Sequence, residues 1–205
     1  MLSFSTMLIF SAAALALTVT PGPDMLLIAS SSVSQGKRAG FATLSGIIAG
    51  TYCHALAAAL GLSQLLLRLP FAFNLLRFAG VAYLFYLAWK TFRSKAAVFC
   101  PNVSMPKISA RQAFLRGLLT NLFNLKMMLF VLALFPQFVR PEAGAVAMQI
   151  MLLATVLNLI GLLVNGVVIF AAGKLSTLQS DRPNAWPQYL LSLVFVGLAA
   201  RLMIL

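Results

Sequence analysis

The chain has 205 residues, of which 61% are hydrophobic and 9% are charged, against about 25% charged in an ordinary soluble domain. So few charges cannot clothe a water-facing surface, which excludes a soluble globular protein and requires membrane helices of roughly 20 residues each. The net charge of +12 does not signal nucleic-acid binding, because the bases are scattered between apolar runs and form no basic stripe with interleaved aromatics.

Six apolar windows follow in chain order, at 4–34, 41–62, 71–92, 117–139, 145–173 and 188–205. They predict an all-α integral membrane protein with six transmembrane helices in one domain spanning 1–205, since no connection is long enough for a second. The first lysine is Lys37, so the N-terminus lacks the basic segment of a cleavable signal peptide and its apolar run reads as a retained helix. Connections fall at 35–40, 63–70, 93–116, 140–144 and 174–187. The first, third and fifth, with their flanks, carry Lys37, Arg38, Lys90, Arg93, Lys95, Lys107, Arg111, Arg116, Lys174 and Arg182; the opposite side has Arg68, Arg77, Arg140 and Arg201. The base-rich side is therefore expected to be cytoplasmic, with both termini on the other side of the membrane. The 93–116 connection reads as a solvated linker that meets anionic headgroups. Cys53 and Cys100 fall at different depths, so no disulfide is expected.

The first window is too long for one straight span: as a helix its 31 residues would run about 46 Å against a bilayer core of about 30 Å. Thr20-Pro21-Gly22-Pro23-Asp24 interrupts it, because both prolines remove backbone donors and Gly22 has no helical preference. The fourth window carries a second polar cluster, Asn121, Asn124 and Lys126. On a regular helix the two asparagines would lie about 60° apart, with Lys126 about 160° from Asn124, so only local unwinding would let all three converge. Asp24 and Lys126 are half a chain apart. Each lies in the first of three spans, and three is odd, so halves of about 1–100 and 101–205 would insert with opposite orientation. That is an inverted 3+3 repeat with an interrupted first helix, the plan of many secondary transporters.

Asp24 is the one acid inside a window, Glu142 and Asp181 being in connections. A charge at the bilayer centre costs about 2.5 to 3.5 kcal/mol, so Asp24 and Lys126 form either a substrate site or a structural clasp that neutralises both. On the first reading Lys126, with Asn121 and Asn124, receives a carboxylate, while Asp24 and the broken stretch at Thr20 and Gly22 face an ammonium. Pro21 and Pro23 are candidates for gating. His54 ends a stripe with Gly46 and Gly50 that suits close helix packing; its imidazole either titrates in a coupling step or bonds a neighbouring carbonyl. Asn158 and Asn165 share a face and are expected to bond between helices rather than line a cavity. Tyr83 and Tyr86 are expected to pack, and Arg77 and Arg201 to snorkel to the interface.

An enzyme would need a constellation that is missing. There is one histidine, with no HExxH, no CxxC, no P-loop and no cofactor motif. Asp24, Met25, Cys53 and His54 are few ligands for a metal ion, and Lys126 would repel one; export of a divalent cation or other small solute stays as the alternative to export of a zwitterion.

Taken together, Thr20-Pro21-Gly22-Pro23-Asp24, Gly46-xxx-Gly50-xxx-His54, Gly80-Val81-Ala82-Tyr83-Leu84, Asn121-Leu122-Phe123-Asn124-Leu125-Lys126 and Phe135-Pro136-Gln137-Phe138 resemble the lysine exporter superfamily. The nearest likeness is to its homoserine/threonine (RhtB-like) branch, in the same order along essentially the whole chain. The resemblance implies six helices, an inner-membrane location, and export of small amino acids or derivatives (homoserine-, threonine- or leucine-like) driven by an ion gradient, with H+ the expected coupling ion. It leaves assembly open, a homodimer included. The family's second motif usually reads Asn-Pro-Lys, and here Leu125 stands at the proline. The fourth window is therefore expected to be less sharply broken than the first.

Overall fold

The computed structural model describes residues 3–68, 108–175 and isolated helical positions between 78 and 93 and between 193 and 200. The windows at 71–92 and 188–205, with Cys100, Arg77 and Arg201, lie wholly or largely outside the described residues, as does most of the 93–116 connection. Every described element is helical: α1 (Phe4–Val19), α2 (Pro23–Gln35), α3 (Lys37–Arg68), α4 (Ala110–Leu122), α5 (Leu125–Phe138), a single 3-10 turn (Pro141–Ala143) and α6 (Val146–Leu175). Among them α3 and α6 are each long and apolar enough to cross a bilayer alone. α1 with α2, and α4 with α5, qualify as pairs, each bent by 56° at a short break.

That equality corrects the expectation of a milder second break. Leu125 could have continued a helix, yet the chain stops at Phe123 and restarts at Leu125, because Asn124 caps the new helix: its side-chain oxygen accepts from the Lys126 backbone N–H over 3.0 Å. An asparagine cap satisfies a donor that a continuing helix would otherwise satisfy, and so does the work assigned to proline. Burial sorts the residues at the break. Asn121 and Asn124 are 0% and 6% exposed, while Phe123 and Leu125 are 84% and 60% exposed.

The connections are shorter than the windows suggested. Gly36, at φ 84°, turns the chain in a single residue, so Lys37 and Arg38 open α3 instead of lying in a loop. Only glycine adopts that conformation without strain. Ser109 and Gln112 form a capping box that starts α4 at Ala110, seven positions before the apolar window. Between α5 and α6, the Gln149 amide donates to the Arg140 and Gly144 carbonyls and accepts from the Arg140 N–H, tying the 3-10 turn to α6.

In lipid there is no hydrophobic drive between helices, so close packing must hold them. The Gly46/Gly50 stripe serves that end. A Cβ at Gly46 would strike the Phe114 carbonyl, one at Gly117 would strike the Thr43 carbonyl, and one at Gly50 would press on the Asn121 side chain. These contacts bring the α3 and α4 backbones together. On the other side of α1, Phe10 is wholly buried against Phe135 and Phe138 of α5, with centroids 5.4 and 5.3 Å away in edge-to-face contacts.

Candidate functional site

The two breaks are built alike. In the first, Gly22 caps α2, Pro23 is its first residue and Asp24 its second; in the second, Asn124 caps α5, followed by Leu125 and Lys126. Proline is welcome at a first helical position, where its missing N–H has no intrahelical acceptor. Asp24 thus lies where the positive end of α2 favours a carboxylate. Lys126, at the same position of α5, faces the wrong helix end for a cation and must be held by something else.

It is held by α1. The Lys126 ammonium donates to the Leu17 carbonyl over 2.8 Å and to the Thr20 carbonyl over 2.6 Å, two groups at the C-terminal end of α1 that lack intrahelical partners. The Lys126 carbonyl in turn accepts from the Tyr83 hydroxyl over 3.0 Å. Asp24 reaches across in the other direction: its Oδ2 accepts from the Asn121 side-chain amide over 2.7 Å, and Asn124 and Lys126 flank the same carboxylate. Among the described residues these bonds link the two breaks through Asn121 and the end of α1. Each half of the chain completes the break of the other.

The helix breaks open on one cleft of about 560 Å³, counted with its mouth. Its walls are Leu17 and Thr18 of α1, Thr20 and Gly22 of the first break, Asp24 and Met25 of α2, Leu44, Ile47, Ile48 and Thr51 of α3, Asn124, Lys126 and Met127, and Leu157, Asn158, Gly161 and Asn165 of α6. Five of the expected site residues, Thr20, Gly22, Asp24, Asn124 and Lys126, thus line it, and Asn121 supports Asp24 from behind. Pro21 and Pro23 are exposed and shape the break without lining the cleft.

His54 also stands outside the cleft. Its Nε2 lies 3.1 Å from the Asn121 carbonyl oxygen; a carbonyl only accepts, so this nitrogen carries the proton. The expectation for Asn158 and Asn165 is corrected in part. Asn158 does approach the Ile48 carbonyl of α3, at 3.5 Å, but the Asn165 amide donates to Gly161 of its own helix over 2.9 Å, and both residues line the cleft. A signal was present in the sequence: Asn158, Gly161 and Asn165 lie three, four and seven apart, one small and polar face on an otherwise apolar helix. Tyr83 goes beyond packing through its bond to Lys126, while stacking on Tyr86 at 6.2 Å.

Residues 15–205 match the family model of the LysE type translocator. An uncharacterized membrane protein of Pseudomonas aeruginosa is 31% identical over 163 residues, 76% of this chain and 74% of that protein. A homoserine/homoserine lactone efflux protein of Salmonella typhimurium is 31% identical over 136 residues, 66% of each. An uncharacterized membrane protein of Bacillus subtilis is 28% identical over 155 residues, 72% of this chain and 73% of that one. No solved structure matches the chain. With paired broken helices around a polar cleft and a family match from residue 15 to the last, the chain belongs to the LysE type translocators, a family of multi-pass membrane transporters and not of enzymes.

Proposed function

We propose that this translocator exports a small amino acid or amino-acid derivative across the inner membrane, by alternating access around the cleft and at the expense of a proton gradient. The observation that carries the reading is the meeting of two broken helices, one from each half, with an acid and a base at equivalent positions of one cleft. Asp24 receives the ammonium. Lys126, with Asn124 beside it, receives the carboxylate, which draws it from the end of α1, while Asn121 steadies Asp24 and Thr20 and Gly22 border the ammonium. A zwitterion so placed replaces the contacts that these residues otherwise make with one another and with the end of α1, so neither charge is stranded. His54 acts by holding Asn121, and Pro21 and Pro23 keep the first break open as a hinge for gating.

Two further features support the reading. The order short helix, break, short helix, corner, long helix occurs twice, as an inverted repeat requires. Two relatives are named as homoserine/homoserine lactone efflux proteins, and both compounds carry the amino group that Asp24 would receive. On this reading the base-rich side is cytoplasmic, with both termini on the other. The test is efflux from cells overexpressing the protein, across a panel of amino acids and analogues, with and without collapse of the proton gradient. Export of no amino acid above the vector control would overturn it.

A further inference from the structure

Pro21 and Pro23 do more than interrupt the first window: they take donors away from the carbonyls that precede them. In a continuous helix the Leu17 carbonyl would accept from the N–H of residue 21, and the Val19 carbonyl from that of residue 23. Proline has no N–H at either place. The Ala16 carbonyl is satisfied locally, by the Thr20 N–H over 3.2 Å and the Thr20 hydroxyl over 2.7 Å. Leu17, 2% exposed, has no local donor at residue 21, and its carbonyl turns to Lys126. The end of α1 is thus a carbonyl surface dictated by the two prolines, at the negative end of the helix dipole.

What fills it is a cation. The Lys126 ammonium lies 2.8 Å from the Leu17 oxygen and 2.6 Å from the Thr20 oxygen. Lys126 is the second residue of α5, where its own helix disfavours positive charge, so the preference for a cation at this point comes from α1. Both oxygens are neutral, which suits a monovalent ion, whereas dedicated divalent sites are built with carboxylates. Leu17, Thr20 and Lys126 all belong to the wall of the cleft.

On the exporter reading a cargo carboxylate draws the ammonium from α1, and the Leu17 and Thr20 oxygens lose the donor that the chain cannot otherwise supply. Leaving such acceptors unmet is unfavourable. We infer that the carbonyl end of α1 is a monovalent-cation site: the Lys126 ammonium occupies it when no carboxylate is present, and a sodium or potassium ion takes its place once the cargo holds the lysine. The lysine is a tethered stand-in for the ion. Cargo and ion therefore favour each other's binding, and that coupling is reciprocal. This inference rests on the carboxylate role of Lys126 and adds a co-bound ion to it.

The test uses the full chain purified in detergent, in sodium, potassium or choline chloride at one ionic strength; the quaternary nitrogen of choline has no N–H and cannot approach two carbonyls closely. Lys126→Ala and Lys126→Met both vacate the place, the second keeping an apolar stem in case the first folds poorly. In these variants sodium or potassium should raise the thermal midpoint over choline by about 2–4 °C, saturably and without cargo. The parent without cargo should show no such shift, because its own ammonium fills the site. With homoserine as the probe, the parent should bind at least about fivefold more tightly in sodium or potassium than in choline. No saturable shift in either variant, a shift of equal size in the parent without cargo, or the same homoserine affinity in all three salts overturns the cation site and leaves the exporter standing. Export of no amino acid overturns the exporter reading, and the salt response of the two variants then decides on the cation site alone.

Discussion

Lys126 donates its ammonium to the Thr20 carbonyl over 2.6 Å, closing the end of a helix whose last residue precedes it by more than half the chain. The lysine is thus a structural cap and a candidate ligand at once, and the two roles separate by experiment. Lys126→Ala should abolish efflux at matched membrane abundance. It should also lower the thermal midpoint in detergent, since each of two charge-assisted bonds contributes about 1.5–3 kcal/mol. Adding Asp24→Asn should recover part of the insertion lost, because Lys126→Ala alone leaves a carboxylate beside an empty place. Full efflux from Lys126→Ala would show that the carboxylate is held elsewhere.

Asp24→Asn by itself should reduce efflux less than Lys126→Ala does. An amide oxygen still accepts from an ammonium, although without charge. Initial rates across a concentration series would show the loss mainly as a raised KM.

Leu125 is the first residue of α5, and Asn124 before it is extended at φ −78° and ψ 99°. Both positions suit proline: the first turn needs no donor there, and the preceding residue already avoids the helical region. Leu125→Pro should therefore be tolerated in folded yield and efflux, whereas Asn124→Ala should cost about 1 kcal/mol through the lost cap. The double variant should recover part of that cost. A collapse of Leu125→Pro would mean that the two halves of the fourth window are one helix in the membrane.

Glycine substitutions should divide by contact. Gly46→Val and Gly117→Val put side chains where carbonyls of the facing helix stand and should destabilise by about 1–3 kcal/mol, read as lost monodisperse protein after extraction. Gly61→Ala meets no atom within 4 Å and should be neutral or slightly stabilising.

Topology is open to thiol labelling. A membrane-impermeant reagent should reach Cys100 only from the cytoplasmic side, on the base count of the connections. Cys53 is exposed on α3, on the apolar outer surface, and should stay unlabelled in intact membranes but react in denaturant. Labelling of Cys100 from outside intact cells would reverse the orientation.

The sequence made the first break legible because proline and glycine act through the backbone, whatever surrounds them. The second break was masked: Leu125 reads as a helix former, and the decisive feature is a cap bond from Asn124 that depends on which way one amide points. Charges in an apolar window announce themselves by their cost, so Asp24 and Lys126 stood out. What they bond did not, since the Leu17 and Thr20 carbonyls become acceptors only once α1 ends there. Asn165 shows the same limit. Its polarity was visible, but the commitment of its amide to Gly161, which leaves the oxygen over, is a matter of rotamer.

The exchange of partners between the breaks also bears on how the chain is made. When α1 and α2 leave the ribosome and enter the bilayer, the cation that closes α1 and the amide that steadies Asp24 are still unsynthesised, a hundred residues away. Until then α1 has an open carbonyl end and α2 an unsupported carboxylate. Only the arrival of α4 and α5 completes them. A chain arrested after α3 should accordingly be a target for membrane proteolysis, and supplying the second half as a separate polypeptide should protect it.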